Sequence, residues 1–181
     1  MIFDLIDYAF GIIKNIMYLF IYLGRYRFSF FSRISSKASV RIYDQGKVNI
    51  HKKAVIRSGC ILRTHKRGVI VIGENSGLNN NCLLTSFESI IIGNNTIIGQ
   101  GVKIYDHDHK YKGVSNIKKS GYLIDSVQIG NNVWIGSDCI ILKGTVIEDN
   151  CVIAAGSIVS GTINKNSLYI QKRNKTIVDN I

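Results

Sequence analysis

Residues 127–159 read VQIGNN, VWIGSD, CIILKG, TVIEDN, CVIAAG, SIV, and this stretch repeats every six positions without a slip. An aliphatic side chain occupies the third position of each repeat, from Ile129 to Val159, and a small or medium side chain occupies the first. A strict period of six fits neither an α-helix nor an ordinary sheet. It is typical of a β-solenoid, in which each short segment lines one wall of a prism and the next turns a corner.

The same repeat continues upstream, with interruptions after Leu62, Leu84 and Ile104. Each interruption predicts an inserted loop. The longest covers 105–126 and is polar, and a solvated loop on a regular scaffold usually carries function. We therefore divide the chain into three parts, which are a helix with a basic connector (1–37), a β-solenoid domain (38–162) and a C-terminal segment (163–181).

Composition narrows the possible partners. The 181 residues allow one domain, and the net charge is +11. A basic balance alone is weak support for nucleic-acid binding, and the sequence has neither an RNA-binding aromatic motif nor a helix-turn-helix. We therefore expect no nucleic acid and favour anionic small-molecule or lipid-surface partners. The four cysteines occur singly, which indicates small core residues in a reducing cytoplasmic setting rather than disulfides or metal ligands.

The first 25 residues are the one clearly helical stretch. Only ten uncharged residues separate Lys14 from Arg25, where a membrane span needs about 20. Two roles remain open: the helix packs on a neighbouring subunit, or it lies at the inner face of the cytoplasmic membrane with Arg25, Arg27 and Arg33 near anionic headgroups. Its less apolar positions form a stripe at helical spacing: Asp4, Asp7, Gly11, Lys14, Asn15, Tyr18, Tyr22 and Arg25.

The residues able to do chemistry lie in KIYDHDH, residues 103–109. In a strand, His107 and His109 share a face. A metal site would need a third ligand, and the chain offers only His51 and His65 elsewhere. A histidine beside a loop is more often a general base near neutral pH. The two flanking aspartates favour a chemical role over a purely structural one.

Residues 50–162 resemble the hexapeptide-repeat acyltransferases, in the branch of the galactoside and maltose O-acetyltransferases. They are similar above all to the small O-acetyltransferases of capsule and O-antigen clusters, which carry a D-H-x-H motif. The most specific stretch is IGNNVWIGSDCIILKGTVIEDNCVIAAGSIVS. The resemblance implies an all-β left-handed parallel β-helix and a homotrimer with active sites between subunits. It also implies acetyl-CoA as donor, no metal, and a saccharide acceptor.

The resemblance also assigns residues. It implies that His109 is the catalytic base, with His107 as a neighbour that shapes the site. Asn79 falls on the acceptor side, where we also place Tyr105 and Asp106. The donor site is expected to combine an indole, small residues along the pantetheine arm and basic residues for the phosphates: Trp134, Gly136, Ser137, Ala155, Gly156, Ser160, Gly161, Lys172 and Arg173.

Two departures from the family pattern bear on function. The C-terminal segment lacks the usual Pro-bearing turn, and Gln171 and Arg173 stand where a Gly and a Pro are expected. The apolar helix replaces an N-terminal maltose-acetyltransferase subdomain, which argues against a soluble mono- or disaccharide acceptor.

The leading hypothesis is acetylation of a hydroxyl on a surface polysaccharide or its precursor. The alternatives are another acceptor (an amino sugar, an amino acid or an antibiotic), a non-catalytic trimeric scaffold, or a relative of the γ-type carbonic anhydrases. The H-x-H spacing does not match the anhydrases, and a scaffold would not need the DHDH loop.

Overall fold

A computed structural model describes residues 2–113 and 115–172. Helix α1 spans Ile2–Ile21 and is followed by short strands, twenty of which form three parallel sheets. Successive strands belong to successive sheets, so every third strand returns to the same wall, one coil further along. This is the β-solenoid that the six-residue period predicts. We call the three sheets walls A, B and C, in the order in which the chain visits them.

The strands follow the chain coil by coil. The first three coils contain β1 (Tyr26–Phe28), β2 (Arg33–Ile34), β3 (Ser39–Ile42), β4 (Lys47–Ile50), β5 (Val55–Ile56), β6 (Ile61–Thr64), β7 (Val69–Ile72), β8 (Gly77–Leu78) and β9 (Leu83–Ser86). The fourth coil and its long loop contain β10 (Ser89–Ile92), β11 (Ile97–Ile98), β12 (Lys103–Tyr105), β13 (His107–His109), a 3₁₀ turn (Ile117–Lys119) and β14 (Tyr122–Ile124). The remaining coils contain β15 (Val127–Ile129), β16 (Trp134–Ile135), β17 (Ile140–Ile141), β18 (Val146–Ile147), β19 (Val152–Ile153), β20 (Ile158–Val159), β21 (Thr162–Ile163) and β22 (Leu168–Tyr169).

The predicted aliphatic positions form the core. On wall A, Ile50 pairs with Ile72, which pairs with Ile92, and the row continues through Ile129 to Ile147. All five side chains are buried. Burial of one such side chain contributes about 1.5–3 kcal/mol, so a stack of identical rows stabilises the whole prism. The interruptions after the third strand of a coil all fall at one corner, between walls C and A.

The walls extend beyond the predicted domain of 38–162, because they begin at Tyr26 and end at Tyr169. In the first coil, aromatic residues take the inward positions on wall A. Tyr26 pairs with Val48, and Phe28 pairs with Ile50. An aromatic residue at an aliphatic position hides the hexapeptide pattern, which explains why the basic connector does not look like part of the solenoid.

Helix α1 covers the start of the prism with its polar stripe turned inward. The Asp7 carboxylate accepts a hydrogen bond from the Ser36 amide at 3.0 Å, and the Tyr22 hydroxyl donates to the Val40 carbonyl at 3.1 Å. Gly11 permits the close approach, since a Cβ there would lie 1.9 Å from the Ile34 carbonyl oxygen. Within the described part of the chain, no helix is long and apolar enough to cross a membrane.

Candidate functional site

The DHDH segment leaves the prism at the corner between walls C and A, where Asp106 anchors it. This carboxylate is fully buried. It accepts hydrogen bonds from the Ser86 hydroxyl at 2.8 Å, the Phe87 amide at 2.8 Å and the Glu88 amide at 2.8 Å. Asp106, which the sequence placed on the acceptor side, therefore faces the previous coil rather than solvent. Its contacts fit a residue that positions the loop.

The loop begins and ends as a two-stranded antiparallel ribbon, in which His107 pairs with Ile124 and His109 pairs with Tyr122. The rings of both histidines lie against Tyr122, with centroids 5.6 Å and 4.8 Å away. The prediction that the two histidines share a face is confirmed. The ribbon therefore places both imidazoles on one side, beyond the end of wall C.

A stack of rings supports this ribbon from below, and sequence reasoning missed it. Tyr43, His65 and Phe87 stand at the same corner of successive coils, and His107 continues the column. Adjacent centroids are 4.9, 4.8 and 4.2 Å apart. Burial, the Arg63 charge and His107 lower the pKa of His65. The signal was available, because the first three rings are spaced 22 residues apart and each directly follows a wall C strand.

The two histidines differ in access. His107 is confined by Phe87, and its Nδ1 lies 3.3 Å from Asp106 Oδ1, with 15% of the side chain exposed. His109 is exposed at the outer end of the ribbon. Asp108, between them, lies 3.9 Å from the Lys143 ammonium on the next coil. Of the two imidazoles, His109 is the more open to an acceptor.

A cleft of about 450 Å³ lies at a different corner, between walls B and C. Such a volume is in the range of small-molecule sites, about 300–1,000 Å³. Trp134 stands at its edge with 57% of the residue exposed. The cleft contains five of the residues predicted for the acceptor and donor sites, together with small or aliphatic neighbours: Asn79, Gly99, Trp134, Gly136, Ser137, Val152, Ile153, Ala154, Ala155 and Leu168.

The small residues of the cleft are required by the stacking of coils. A Cβ on Gly99 would lie 2.5 Å from the Ser137 amide nitrogen, and one on Gly136 would lie 2.5 Å from the Ala155 amide nitrogen. Because these two positions have no side chain, an extended chain can approach the backbone closely there. Asn79 in addition borders a basic groove lower on wall B, which contains Arg33 and Arg57.

The other predicted donor residues are dispersed. The Gly156 amide donates to the Ser137 carbonyl at 2.8 Å, next to the cleft. Ser160 and Gly161 follow β20 and lie at the corner between walls C and A instead. Lys172 is exposed beyond the last strand. Arg173 lies outside the described residues.

One protomer does not bring the ribbon and the cleft together, since they occupy different corners of the prism with wall C between them. A candidate metal centre is also missing from residues 2–113 and 115–172, where no three His, Cys, Asp or Glu side chains cluster suitably. The four cysteines are buried and free.

Comparison with known proteins identifies relatives. A family model described as bacterial transferase hexapeptide (six repeats) matches residues 126–161. A protein of Escherichia coli K12 named as a lipopolysaccharide biosynthesis O-acetyl transferase, WbbJ, is 33% identical over 135 residues, which cover 70% of this chain and 69% of that protein. Galactoside O-acetyltransferase of the same organism is 38% identical over 98 residues, which cover 54% of this chain and 47% of that enzyme.

Two solved structures also resemble this chain. A galactoside acetyltransferase in complex with coenzyme A has a TM-score of 0.51 and 28% identity, over 72% of this chain and 58% of that chain. AntD, an N-acyltransferase from Bacillus cereus in complex with dTDP and 3-hydroxybutyryl-CoA, has a TM-score of 0.67 and 20% identity, over 83% of this chain and 81% of that chain. At that identity the second likeness is one of fold.

Proposed function

Because the chain belongs to the hexapeptide-repeat acetyltransferase family, as its repeat and motifs predict, we propose that it acetylates a sugar hydroxyl of a bacterial surface polysaccharide, of the capsule or O-antigen type, or its precursor. Acetyl-CoA is the donor in this proposal. The observation that carries it is that the chain has both an exposed imidazole on a braced ribbon and, at another corner, a cleft beside its only tryptophan. The relationship to WbbJ, over about two thirds of that protein, supports the class of acceptor.

In this mechanism His109 is the general base. Its neutral imidazole accepts the proton of the acceptor hydroxyl as the hydroxyl oxygen attacks the thioester carbonyl. The new C–O bond forms, the C–S bond breaks, and the imidazolium returns the proton to the departing thiolate. His107 and Tyr122 orient the ribbon, and Asp106 fixes its root.

The donor arm would run along the cleft between walls B and C. Gly99 and Gly136 allow an extended pantetheine to lie against the backbone, where its amides can pair with main-chain groups. Trp134 supplies an apolar edge, and Lys172, exposed past the last strand, is available to a phosphate. Asn79 stands where the cleft meets the basic groove, which is the natural entry for an acceptor.

The class of acceptor is tested by measuring the release of coenzyme A thiol from acetyl-CoA in the presence of saccharides that differ in one group. We expect turnover with lipid-linked or nucleotide-linked sugars that offer only hydroxyls. The matched control replaces one hydroxyl by an amine on the same sugar. Preference for the amine, or for an amino acid or antibiotic, would overturn the proposed acceptor while leaving the family assignment intact.

Trp134 provides a direct report on the donor. Since it is the only indole in the chain and is exposed at the cleft, its fluorescence should change on addition of coenzyme A. Trp134→Ala should raise the KM for acetyl-CoA by roughly three- to tenfold, the usual effect of losing one aromatic contact. Trp134→Phe keeps an aromatic ring, so its KM for acetyl-CoA should lie between those of wild type and Trp134→Ala. An emission spectrum unchanged at saturating coenzyme A would contradict the placement.

We also propose that the active unit is a homotrimer, in which the ribbon of one subunit meets the cleft of the next. Support comes from the separation of the two parts within a protomer and from a column of exposed apolar side chains on wall B. In this column Ile97 pairs with Trp134, and Leu168 follows two strands later. Cyclic closure of identical solenoids would cover the column and generate three equivalent sites.

Complementation between inactive variants tests this arrangement. His109→Ala removes the base, and Ala155→Arg blocks the cleft from an exposed position without entering the core. Each variant alone should be inactive. Co-expressed in equal amounts, they should recover about one quarter of wild-type activity, because random assembly places an intact ribbon beside an intact cleft at that frequency. A monomer in sedimentation, or mixtures without activity, would rule out shared sites.

A further inference from the structure

Three polar side chains of α1, those of Asp7, Lys14 and Asn15, bond to the solenoid or are buried against it. The Asn15 side chain is buried, donates to the Gly11 carbonyl at 2.7 Å and accepts from the Tyr26 hydroxyl. The Lys14 ammonium donates to the Ser36 and Ala38 carbonyls. Hydrogen bonds from Ser35 and Ser36 outweigh burial and hold the pKa of Asp7 below its usual value. The stripe that would face water on an ordinary surface helix is thus an internal packing face.

The opposite face of α1 is apolar and points away from the protein. Phe20 is 72% exposed and Phe10 is 62% exposed. A contiguous apolar surface of this extent is unusual on a soluble monomer and marks an interaction site. Two more aromatic side chains, Phe30 and Phe31 of the first coil, are also exposed. The large exposed side chains on the helix are Ile2, Leu5, Ile6, Phe10, Ile12, Ile13, Met17, Phe20 and Ile21.

The coils nearest this face carry nearly all of the net positive charge. Residues 22–73 contain twelve Lys or Arg and one Asp, whereas the rest of the chain is close to neutral. Arg27, Arg33, Lys37 and Arg41 of the first coil are exposed. An apolar helix face bordered by a basic surface is the pattern of proteins that lie in an anionic lipid interface.

We propose that α1 docks the protein on an anionic lipid bilayer. The apolar face enters the headgroup boundary, the first coil contacts the anionic headgroups, and the prism stands upright on the surface. A second copy of the chain fits less well, because end-to-end contact through this face would bring two strongly basic coils together. The helix is about 30 Å long and lies in the plane of the interface.

Docking through α1 would place the candidate base at a defined height above the bilayer surface. His109 extends from the fourth coil, which is three strand spacings, or about 15 Å, above the first. A saccharide attached to a lipid carrier could reach that height, whereas the carrier itself would stay in the bilayer. In the trimer proposed above, parallel prisms would present three helices at one end, and their membrane affinities would reinforce one another.

The apolar half of the proposal is tested with Phe10→Glu/Phe20→Glu, which alters only outward side chains. The probe is sedimentation with vesicles of equimolar phosphatidylglycerol and phosphatidylethanolamine. We expect wild type to co-sediment and the variant to bind on the order of tenfold more weakly or not at all. Ile117→Glu/Leu123→Glu adds the same two carboxylates at exposed apolar residues of the long loop; it is the matched control and should bind like wild type.

The electrostatic half is tested with Arg27→Gln/Arg41→Gln, which should weaken binding roughly tenfold and reduce its salt dependence. Lys118→Gln/Lys119→Gln removes the same charge from the long loop and should have no effect. Vesicles of phosphatidylcholine alone should bind all forms weakly. Absence of wild-type binding to anionic vesicles would overturn the proposal. So would a Phe10→Glu/Phe20→Glu protein that binds vesicles normally but changes its oligomeric state, since α1 would then be an assembly element.

Discussion

His109→Ala is expected to lower kcat by about 10²- to 10⁴-fold, the usual consequence of removing a positioned general base. Its unfolding temperature, oligomeric state and coenzyme A binding should stay at wild-type values, because the side chain is exposed and its ring rests against Tyr122. Steady-state thiol release and differential scanning calorimetry on the same preparation measure both quantities.

His107→Ala is the discriminating comparison. His107 packs against Phe87 and lies beside Asp106, so its loss should loosen the root of the ribbon and lower stability along with rate. His109→Ala should change rate alone. If His107→Ala were inactive yet as stable as wild type, and His109→Ala retained near-normal kcat, the two roles would have to be exchanged.

The solenoid itself could be read from the sequence because its period is geometric. An inward aliphatic residue every six positions places one residue on each wall in turn, and the row Ile135, Ile153 repeats every eighteen. The same arithmetic bears on the donor site. Ala155 is eighteen residues after Ser137 and shares its corner, whereas Ser160 is not in step with either and stands at another corner. Counting in steps of eighteen residues would therefore have assigned Ser160 to a different corner from Ser137 and Ala155 from the sequence alone.

The orientation of α1 could not be obtained in this way. An amphipathic pattern normally predicts that the apolar face packs inward. The start of a solenoid is different, because the first coil has main-chain groups with no coil before it to pair with, and buried polar groups need partners. Asp7 and Tyr22 satisfy the Ser36 amide and the Val40 carbonyl. The amphipathic pattern of the helix was visible in the sequence. The main-chain groups that need hydrogen-bond partners on the surface that it covers were not.

Asp106→Ala is expected to destabilise the protein by about 3 kcal/mol or more, because it leaves two backbone amides and a hydroxyl without their buried acceptor. For a chain of this length, the unfolding temperature should fall by roughly 6–12 °C. Activity should fall with it, since the carboxylate holds the root of the ribbon that carries His109. Calorimetry and thiol release measure the two losses in one preparation.

Two control variants make this result specific. Asp106→Asn keeps the size and one acceptor oxygen but turns an amide NH₂ toward donors, so it should lie between wild type and Asp106→Ala. Asp108→Ala removes an exposed carboxylate from the same ribbon, where the ion pair with Lys143 spans 3.9 Å, and should leave the unfolding temperature within about 1–2 °C. An Asp106→Ala protein with wild-type stability and a raised KM for the acceptor alone would return Asp106 to the acceptor site, where it was expected from the sequence.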